Sequence, residues 1–229
     1  MKVIGILGGL GPEATAELFF RIIKITPAKR DQDHIPIIIF NNPKVPDRTA
    51  AILYGGENPL IELIKTAQKL EKAGVDFIIM PCNTAHYYYD ELKSSVKIPF
   101  LNMIELTVKR IVRIYPNIKS VGLIATTGTI KSGLYQRYLD NYGIKAIIPS
   151  DEDQEVVMRG IYNGVKAGNL NLGRNLLLKV ANKLIGMGAE LIILGCTEVS
   201  IAIKSEDLSI PIIDPLQVLA EEAVKYALN

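Results

Sequence analysis

Short apolar runs and longer amphipathic stretches alternate along the whole chain. The short runs suit buried strands, and between them apolar residues recur at helical spacing. Strands are predicted at 2–7, 35–40, 75–80, 99–101, 120–125, 144–148, 189–194 and 210–213. Helices are predicted at 12–26, 59–73, 103–115, 131–142, 152–167, 172–187 and 215–228. Because strands that alternate with helices form parallel sheets covered on both faces, the pattern predicts an α/β fold with right-handed crossovers.

The second half of the chain repeats the pattern of the first. Gly74 and Gly188 each begin a segment with a small residue, an acid and four apolar residues, and the segments end in Cys82 and Cys196. Equivalent positions lie 117, 114 and 112 residues apart, namely Gly5 and Gly122, Cys82 and Cys196, and Pro99 and Pro211. This agreement favours an internal duplication, although buried parallel strands also resemble one another.

The repeat predicts two similar parallel-sheet α/β domains related by a pseudo-two-fold duplication. The first domain is predicted to comprise 1–102 plus 215–229, and the second 103–214. Ligands of such sheets lie beyond the carboxyl ends of the strands. Gly8, Cys82, Thr126 and Cys196 all come just after a predicted strand, so we expect the functional site there.

Composition narrows the class of protein. The 229-residue chain is 48% hydrophobic and 22% charged, which suffices for a sizeable core. A net charge of +2 without a basic run argues against a nucleic-acid partner. No apolar stretch reaches the roughly 18 residues of a membrane span, and the glycine-broken start does not suit a signal peptide. A cytoplasmic enzyme is therefore expected.

The glycine loop at 8–15 has two interpretations. Gly9, Gly11 and Ala14 form a weak match to the dinucleotide fingerprint, but no acid follows the second predicted strand to hold a ribose. With Pro12 at the first helical position, the helix N-terminus is expected to bind an anion. The alternative is a tight turn that needs glycine for its backbone freedom.

The two cysteines are the strongest candidates for chemistry. A lone buried cysteine is usually inert, but two thiols in matching contexts can remove a proton from one face of a carbon and return one to the other. A zinc site is not expected, because the chain has no C-x-x-C motif and only His34 and His86 as histidines. A disulfide between the thiols would abolish this chemistry.

Six short motifs are distributed over the full length of the chain. They are Gly-Gly-Leu-Gly-Pro-Glu-Ala-Thr at 8–15, Pro-Asp-Arg-Thr at 46–49, Pro-Cys-Asn-Thr-Ala-His at 81–86, Ala-Thr-Thr-Gly-Thr at 125–129, Asn-Gly-Val-Lys at 163–166 and Gly-Cys-Thr-Glu at 195–198. Together they resemble the cofactor-independent aspartate/glutamate racemase superfamily. The resemblance implies an active site in the cleft between two α/β domains, with the terminal helix packed on the first domain. It further implies a homodimer that needs no cofactor.

The resemblance also implies roles for individual residues. Cys82 and Cys196 would be the acid and base for the two enantiomers, and Arg48 and Lys166 would hold the substrate's side-chain carboxylate. The remaining substrate-binding candidates are Gly9, Asn83, Thr84, Thr126, Thr127, Thr197 and Glu198. Glu198 either orients Cys196 or a substrate group, or only caps local structure. His86 is expected to be structural.

The same comparison points to aspartate as substrate. Glutamate racemases typically have Asp-Ser-Gly in the first loop and Cys-Thr-His in the second half, whereas this chain has Gly-Gly-Leu-Gly and Cys196-Thr197-Glu198. Glutamate or both acids stay open, because one methylene discriminates by only about 1–3 kcal/mol. A non-catalytic dicarboxylate-binding protein of the same fold is the further alternative. In every case the expected partner is a small dicarboxylic amino acid.

Overall fold

The structure is a computed structural model that describes residues 1–229. The chain forms two units, one made of 1–106 with 216–229 and the other of 107–215. The sequence placed these boundaries at 102 and 215. None of the helices has both the length and the apolar character that crossing a membrane requires.

The first unit contains a three-stranded parallel sheet. Its strands are β1 (Ile4–Gly8), β2 (Ile37–Asn41) and β3 (Phe77–Ile79), in the order β2-β1-β3. The predicted strand at 99–101 is reduced to a single parallel bridge between Ile78 and Phe100. This bridge lies on the open edge of β3.

Helices follow the strands of this unit in turn. They are α1 (Pro12–Ile25), α2 (Arg48–Tyr54), α3 (Leu60–Lys72) and α4 (Tyr89–Ser94), the last preceded by a 3₁₀ turn at Thr84–Tyr88. Helix α5 (Met103–Ile114) starts in the first unit and continues into the second. Helices α2 and α4 were not predicted, because each is too short to show an apolar period.

The second unit repeats this strand order with one more strand. Its strands are β4 (Ser120–Ala125), β5 (Lys145–Ile147), β6 (Ile192–Gly195) and β7 (Ile212–Ile213), in the parallel order β5-β4-β6-β7. Strand β7 occupies the position that the Phe100 bridge has in the first sheet. The predicted α/β class with parallel sheets is therefore confirmed.

The helices of the second unit depart from the prediction in two places. They are α6 (Thr127–Lys131), α7 (Leu134–Asp140), α8 (Asp151–Arg159), α9 (Leu170–Gly186) and α10 (Thr197–Ala202). The helix predicted at 131–142 is present but shorter, as α7, because Gly133 adopts a φ of +68° and separates it from α6, which was not predicted. The helix predicted at 152–167 ends its α-helical part at Arg159 and continues as a π-helix over Gly160–Val165.

The terminal helix α11 (Pro215–Leu228) completes the core of the first unit. Alternate residues of a strand point to opposite faces, and here both faces are buried. Ile6 and Ile79 pack on one face against α1 and α11. Leu7 and Ile78 pack on the other face, chiefly against α3.

The π-helix lies against α9 at a contact made of glycines. A Cβ on Gly164 would come within 2.5 Å of the Gly173 Cα, so only glycine allows the two backbones this close. The π-helix ends with the Lys166 amide donating to the Ile161 carbonyl at 2.9 Å. Such π-segments often occur at functional sites, and this one fixes where Lys166 leaves the helix.

Replacing Gly164 with alanine should destabilise the second unit by about 1–3 kcal/mol, because the added methyl group overpacks against the backbone of α9. Gly186→Ala is the matched control, since a Cβ there meets nothing within 4 Å. In a helix that change should gain about 0.5–1 kcal/mol. Urea denaturation of both variants measures the difference, and equal stabilities would contradict the close contact.

Candidate active site

Cys82 is held in place by the segment that follows β3. The residue is buried, with 6% of its surface exposed. Its carbonyl oxygen lies 2.8 Å from Nδ1 of His86, whose Nε2 lies 3.1 Å from the Met103 amide nitrogen. The Met103 amide can only donate, so Nε2 accepts and Nδ1 carries the proton. His86 therefore joins the peptide of Cys82 to the first residue of α5, as expected of a structural histidine.

Burial in this position lowers the pKa of His86 to about 4, despite the hydrogen bond to the Cys82 carbonyl. The ring is therefore neutral near neutral pH. A neutral imidazole with both nitrogens engaged is not available as an acid or base in this arrangement.

Arg48 connects two loops of the first unit. Asp47 caps α2 by accepting from the Ala50 amide, and Arg48 is the first residue of that helix. Its Nη1 donates to the carbonyls of Val45 and Pro46 at 3.2 and 2.9 Å, and its Nη2 donates to the Leu10 carbonyl at 3.0 Å. The guanidinium thereby ties the α2 loop to the glycine loop.

The three carbonyls do not use every donor of Arg48. Its Nε is buried and has no hydrogen-bond partner. Nε–H and an Nη2–H form the side of a guanidinium that binds a carboxylate bidentately. The fixed guanidinium therefore retains Nε–H as an unused donor, and the assignment of Arg48 to the substrate stays a prediction.

The glycine loop is a tight turn. Gly9 has a φ of +93°, and a Cβ there would lie 2.3 Å from the backbone of Asn42. The Gly9 amide donates to Oγ1 of Thr15 at 2.9 Å. Glycine is thus required for the turn itself, and the Gly9 amide already has an acceptor within the protein. Anion binding by Gly9 stays a prediction.

Asn83 and Thr84 come directly after Cys82. Both residues are buried, and Thr84 begins the 3₁₀ turn that also contains His86. Helix α2 contacts this turn, and the positive charge of Arg48 acts on the Tyr88 hydroxyl within it. The first unit therefore brings Arg48 to the segment that follows Cys82.

The second unit gathers three predicted residues around the carboxylate of a fourth, Glu198. Cys196 lies between β6 and α10, and its Sγ donates to Oε2 of Glu198 at 2.9 Å. Oγ1 of Thr197 donates to the same oxygen at 3.2 Å. The other oxygen of Glu198 pairs with Nζ of Lys166 at 2.8 Å. The sequence suggested each of these residues, but not that Lys166 binds Glu198.

The pKa values of this group follow from its burial and charges. Burial raises the pKa of the Cys196 thiol well above its ordinary value, the Glu198 carboxylate adds to that effect, and the Lys166 ammonium opposes it. Burial alone would raise the pKa of Glu198, but Lys166 and the hydrogen bond from Cys196 together hold that pKa below its ordinary value. Cys196 is consequently a thiol and Glu198 a carboxylate near neutral pH.

Thr126 and Thr127 follow the strand next to β6. Because Ala125 pairs with Gly195 across β4 and β6, Thr126 and Cys196 leave the sheet side by side. Thr126 caps α6 by accepting from the Thr129 amide, while the Thr127 amide points at Sδ of Met158 at 3.2 Å.

Gln154 is a polar residue at this edge that the sequence did not reveal. It is buried on α8, and its Nε2 donates to the Ala125 carbonyl at 2.9 Å and to Oγ1 of Thr127 at 3.3 Å. Its Oε1 is buried without a hydrogen-bond partner. Buried polar atoms normally have partners, so Oε1 is a candidate acceptor for a ligand. The sequence around Gln154 is acidic and polar, so nothing in it indicated that this side chain is buried.

No group of three or more His, Cys, Asp or Glu side chains is arranged to hold a metal ion.

Known proteins resemble this chain over nearly its whole length. A sequence profile of the family described as Asp/Glu/Hydantoin racemase matches residues 7–223. The chain belongs to this family. The predicted resemblance is thereby confirmed, and the protein is a racemase, an isomerase that acts on a stereogenic carbon.

Three relatives show how close the similarity is. The broad specificity amino-acid racemase RacX of Bacillus subtilis (strain 168) is 33% identical over 226 residues, which cover 97% of this chain and 96% of RacX. The structure of Picrophilus torridus aspartate racemase has a TM-score of 0.89 and 36% identity, and the match covers 99% of this chain and 94% of that one. An aspartate racemase homologue from Pyrococcus horikoshii OT3 has a TM-score of 0.80 and 28% identity, with both chains covered completely.

The neutral His86 predicts a specific pH dependence of stability. As the pH falls from about 6.5 to about 4, the unfolded chain binds a proton at this histidine and the folded chain does not. The free energy of unfolding should therefore fall by roughly 3 kcal/mol over that range, and the contribution is fully present above pH 6.5.

His86→Gln should remove that loss, because glutamine can still donate to one partner and accept from the other. His34→Gln, which changes the other histidine, is the control and should keep the wild-type pH dependence. Urea denaturation at several pH values measures both. An unchanged slope in His86→Gln would show that His86 titrates normally in the folded chain.

Proposed function

We propose that the protein is an aspartate racemase that uses Cys82 and Cys196 as its two acid/base groups and needs no pyridoxal phosphate. The observation that carries the proposal is the equivalence of the two thiols. Cys82 follows β3 and Cys196 follows β6. The order β2-β1-β3 in the first sheet corresponds to β5-β4-β6 in the second, so β3 and β6 occupy equivalent positions. Both thiols are free and buried.

Inversion at Cα requires one proton to leave and another to arrive on the opposite face. In the proposed reaction one sulfur, as thiolate, takes the α-proton while the other, as thiol, delivers a proton to the carbanion-like centre. The Cys196 thiol donates to Glu198, which supports assigning Cys196 as the proton donor when Cys82 acts as the base. The roles are exchanged for the other enantiomer.

The carbanion-like transition state needs fixed hydrogen-bond donors around the α-carboxylate. We assign this role to the backbone and side chains of Asn83, Thr84, Thr126, Thr127 and Thr197. These residues lie in the segments that follow the strands, where amides and hydroxyl groups are concentrated. We assign Gln154 to the substrate ammonium, because its buried Oε1 is an acceptor without a partner.

The side-chain carboxylate of the substrate is assigned to Arg48 and Lys166. Support comes from the unused Nε–H of the fixed Arg48 guanidinium and from Lys166, which already binds a carboxylate, that of Glu198. Aspartate is favoured as substrate by the similarity to an aspartate racemase over nearly the whole chain.

A racemase of broader range is the second candidate. It is favoured by the similarity to RacX, whose name describes broad specificity. Glutamate is included in this range. We further propose that the protein is cytoplasmic and that it forms a homodimer, the assembly that the family resemblance implies. Analytical ultracentrifugation at several protein concentrations tests the dimer.

Either cysteine replaced by alanine should reduce racemisation of aspartate by at least about 100-fold, because one proton transfer then has no side chain to perform it. Chiral chromatography after incubation with L-aspartate or D-aspartate, without added cofactor, measures the rate. Parallel reactions with glutamate rank the substrates. Since the chain has only two cysteines, each variant contains one thiol, and its titration confirms the identity of the sample. Substantial turnover by Cys82→Ala with an intact fold would rule out the two-cysteine mechanism.

Arg48→Lys should raise KM for aspartate about tenfold to a hundredfold, because lysine cannot offer a bidentate pair of donors to a carboxylate. It should also loosen the contact with the Leu10 carbonyl. Arg30→Lys, at an exposed arginine paired with Asp33, is the matched control. Equal KM values in the two variants would mean that Arg48 serves only to tie the loops together.

A further inference from the structure

Glu198 is a buried charge to which the proposed proton transfers assign no role. Only 7% of its side chain is exposed. A buried carboxylate is costly unless it is paired and hydrogen-bonded. All of its described partners are residues proposed for the reaction, namely Cys196, Thr197 and Lys166. A carboxylate placed only to cap α10 would not need to contact the thiol.

The three groups form a chain with Glu198 at its centre. One oxygen of Glu198 accepts from the Cys196 thiol at 2.9 Å, and the other lies 2.8 Å from the Lys166 ammonium. Lys166 is the outermost member, with 29% of its side chain exposed, and it also lies over the ring of Tyr162. The lysine can therefore be reached from solvent while the carboxylate and the thiol stay buried.

Lys166 thus has two uses. It neutralises Glu198 in the structure, and it is proposed to hold the side-chain carboxylate of the substrate. A lysine ammonium acts as a compact point charge, so moving it toward a second carboxylate weakens its hold on the first.

We propose that Glu198 is a positioning residue for Cys196, and that Lys166 passes from Glu198 to the side-chain carboxylate of the substrate, so that substrate binding controls the protonation of the thiol. The inference rests on the proposed function, because it takes the dicarboxylic substrate from there. It adds a role for Glu198 that binding and proton transfer do not require.

The consequence for Cys196 has a definite direction. With Lys166 drawn away, the negative charge of Glu198 acts on the sulfur with less compensation, so the thiol form is favoured. In the proton-donating step the S–H bond breaks, the proton joins the electron pair on Cα, and the sulfur keeps its bonding pair as thiolate. When the product leaves, Lys166 returns to Glu198 and reduces the repulsion between that carboxylate and the thiolate.

This expected change in the protonation of Cys196 agrees with the effects of its neighbours. Burial and Glu198 raise the pKa of Cys196, and Lys166 lowers it. A further titratable group near Cys196 is Tyr135, on which the charges of Cys196 and Asp214 both act. Burial raises the pKa of Tyr135 well above its ordinary value, and the charges of Asp214 and Cys196 raise it further.

The test uses the full-length Cys82→Ala variant, in which Cys196 is the only thiol. Its thiolate is followed by ultraviolet absorbance against pH, with Cys82→Ala/Cys196→Ala as the blank, in the absence and presence of saturating succinate. Succinate is a dicarboxylate without an amino group, and calorimetry establishes its binding. At a fixed pH within the transition, succinate should lower the thiolate fraction severalfold.

Glu198→Gln in the same background separates this effect from direct repulsion by the ligand. Glutamine keeps the size of the side chain and an acceptor oxygen, but it carries no charge for Lys166 to neutralise. The effect of succinate should be lost or strongly reduced. If succinate lowers the thiolate fraction equally with and without Glu198, the ligand acts directly and the proposal is wrong. Failure of succinate to bind would also overturn it.

A lysine variant provides a second test that needs no ligand. Lys166→Met in the Cys82→Ala background should titrate like Cys82→Ala saturated with succinate. Lys183→Met, which removes an exposed lysine paired with Asp153, should leave the titration unchanged. Identical titrations of the two lysine variants would contradict the proposed transfer of Lys166 from Glu198 to the substrate.

Turnover supplies a third readout, independent of the titrations. If Lys166 must leave Glu198 during the reaction, amino acids without a side-chain carboxylate should have a lower kcat than aspartate as well as a higher KM. The titrations use a variant that does not racemise, so they succeed or fail whether or not the wild-type protein acts on aspartate. A result that contradicts the transfer of Lys166 is therefore distinguishable from a result that contradicts the proposed function.

Discussion

Parallel pairing of the central strands brings the chemical groups of each unit together. In the second unit Ala125 pairs with Gly195, so the segments that begin with Thr126 and Cys196 emerge at one edge. This pairing depends on small residues, since a Cβ on Gly195 would lie 2.7 Å from Cδ1 of Leu123. The glycine before Cys196 is therefore a packing requirement of the sheet and also determines the position of the thiol.

The two units support their thiols in different ways. In the first unit the neutral His86 fixes the backbone of Cys82 through its carbonyl oxygen. In the second unit the carboxylate of Glu198 contacts the sulfur of Cys196 itself. The two units thus have cysteines at equivalent positions but in different surroundings. Different surroundings are suited to a reaction in which one sulfur is a thiol while the other is a thiolate.

The sequence predicted the long elements and the position of both cysteines, because periodic apolar runs and a repeat of more than 100 residues are strong signals. It could not predict α2, α4 or α10, because each has too few turns to show an apolar period. It also missed the break at Gly133 and the π-helix before Lys166. Both depend on backbone geometry, namely a positive φ in one case and a glycine contact in the other.

The sequence predicted which residues belong to the candidate site, but not which contacts they make with one another. Motifs identified Lys166, Cys196 and Glu198 separately, whereas the ion pair between Lys166 and Glu198 forms only when the π-helix is packed on α9 and next to α10. Gln154 had no motif, and only its burial marks it. Buried polar contacts between distant segments are set by tertiary packing, which a single sequence does not display.

The central claim is that two different sulfurs handle the two faces of one carbon. The most direct test is to racemise L-aspartate in deuterated water and analyse both enantiomers at low conversion by NMR and chiral chromatography. Two bases predict that the D-aspartate formed carries deuterium at Cα, while the remaining L-aspartate keeps its original hydrogen. Deuterium in the recovered L-aspartate at the rate of inversion, or D-aspartate that retains the substrate's hydrogen, would indicate a single base and contradict the account.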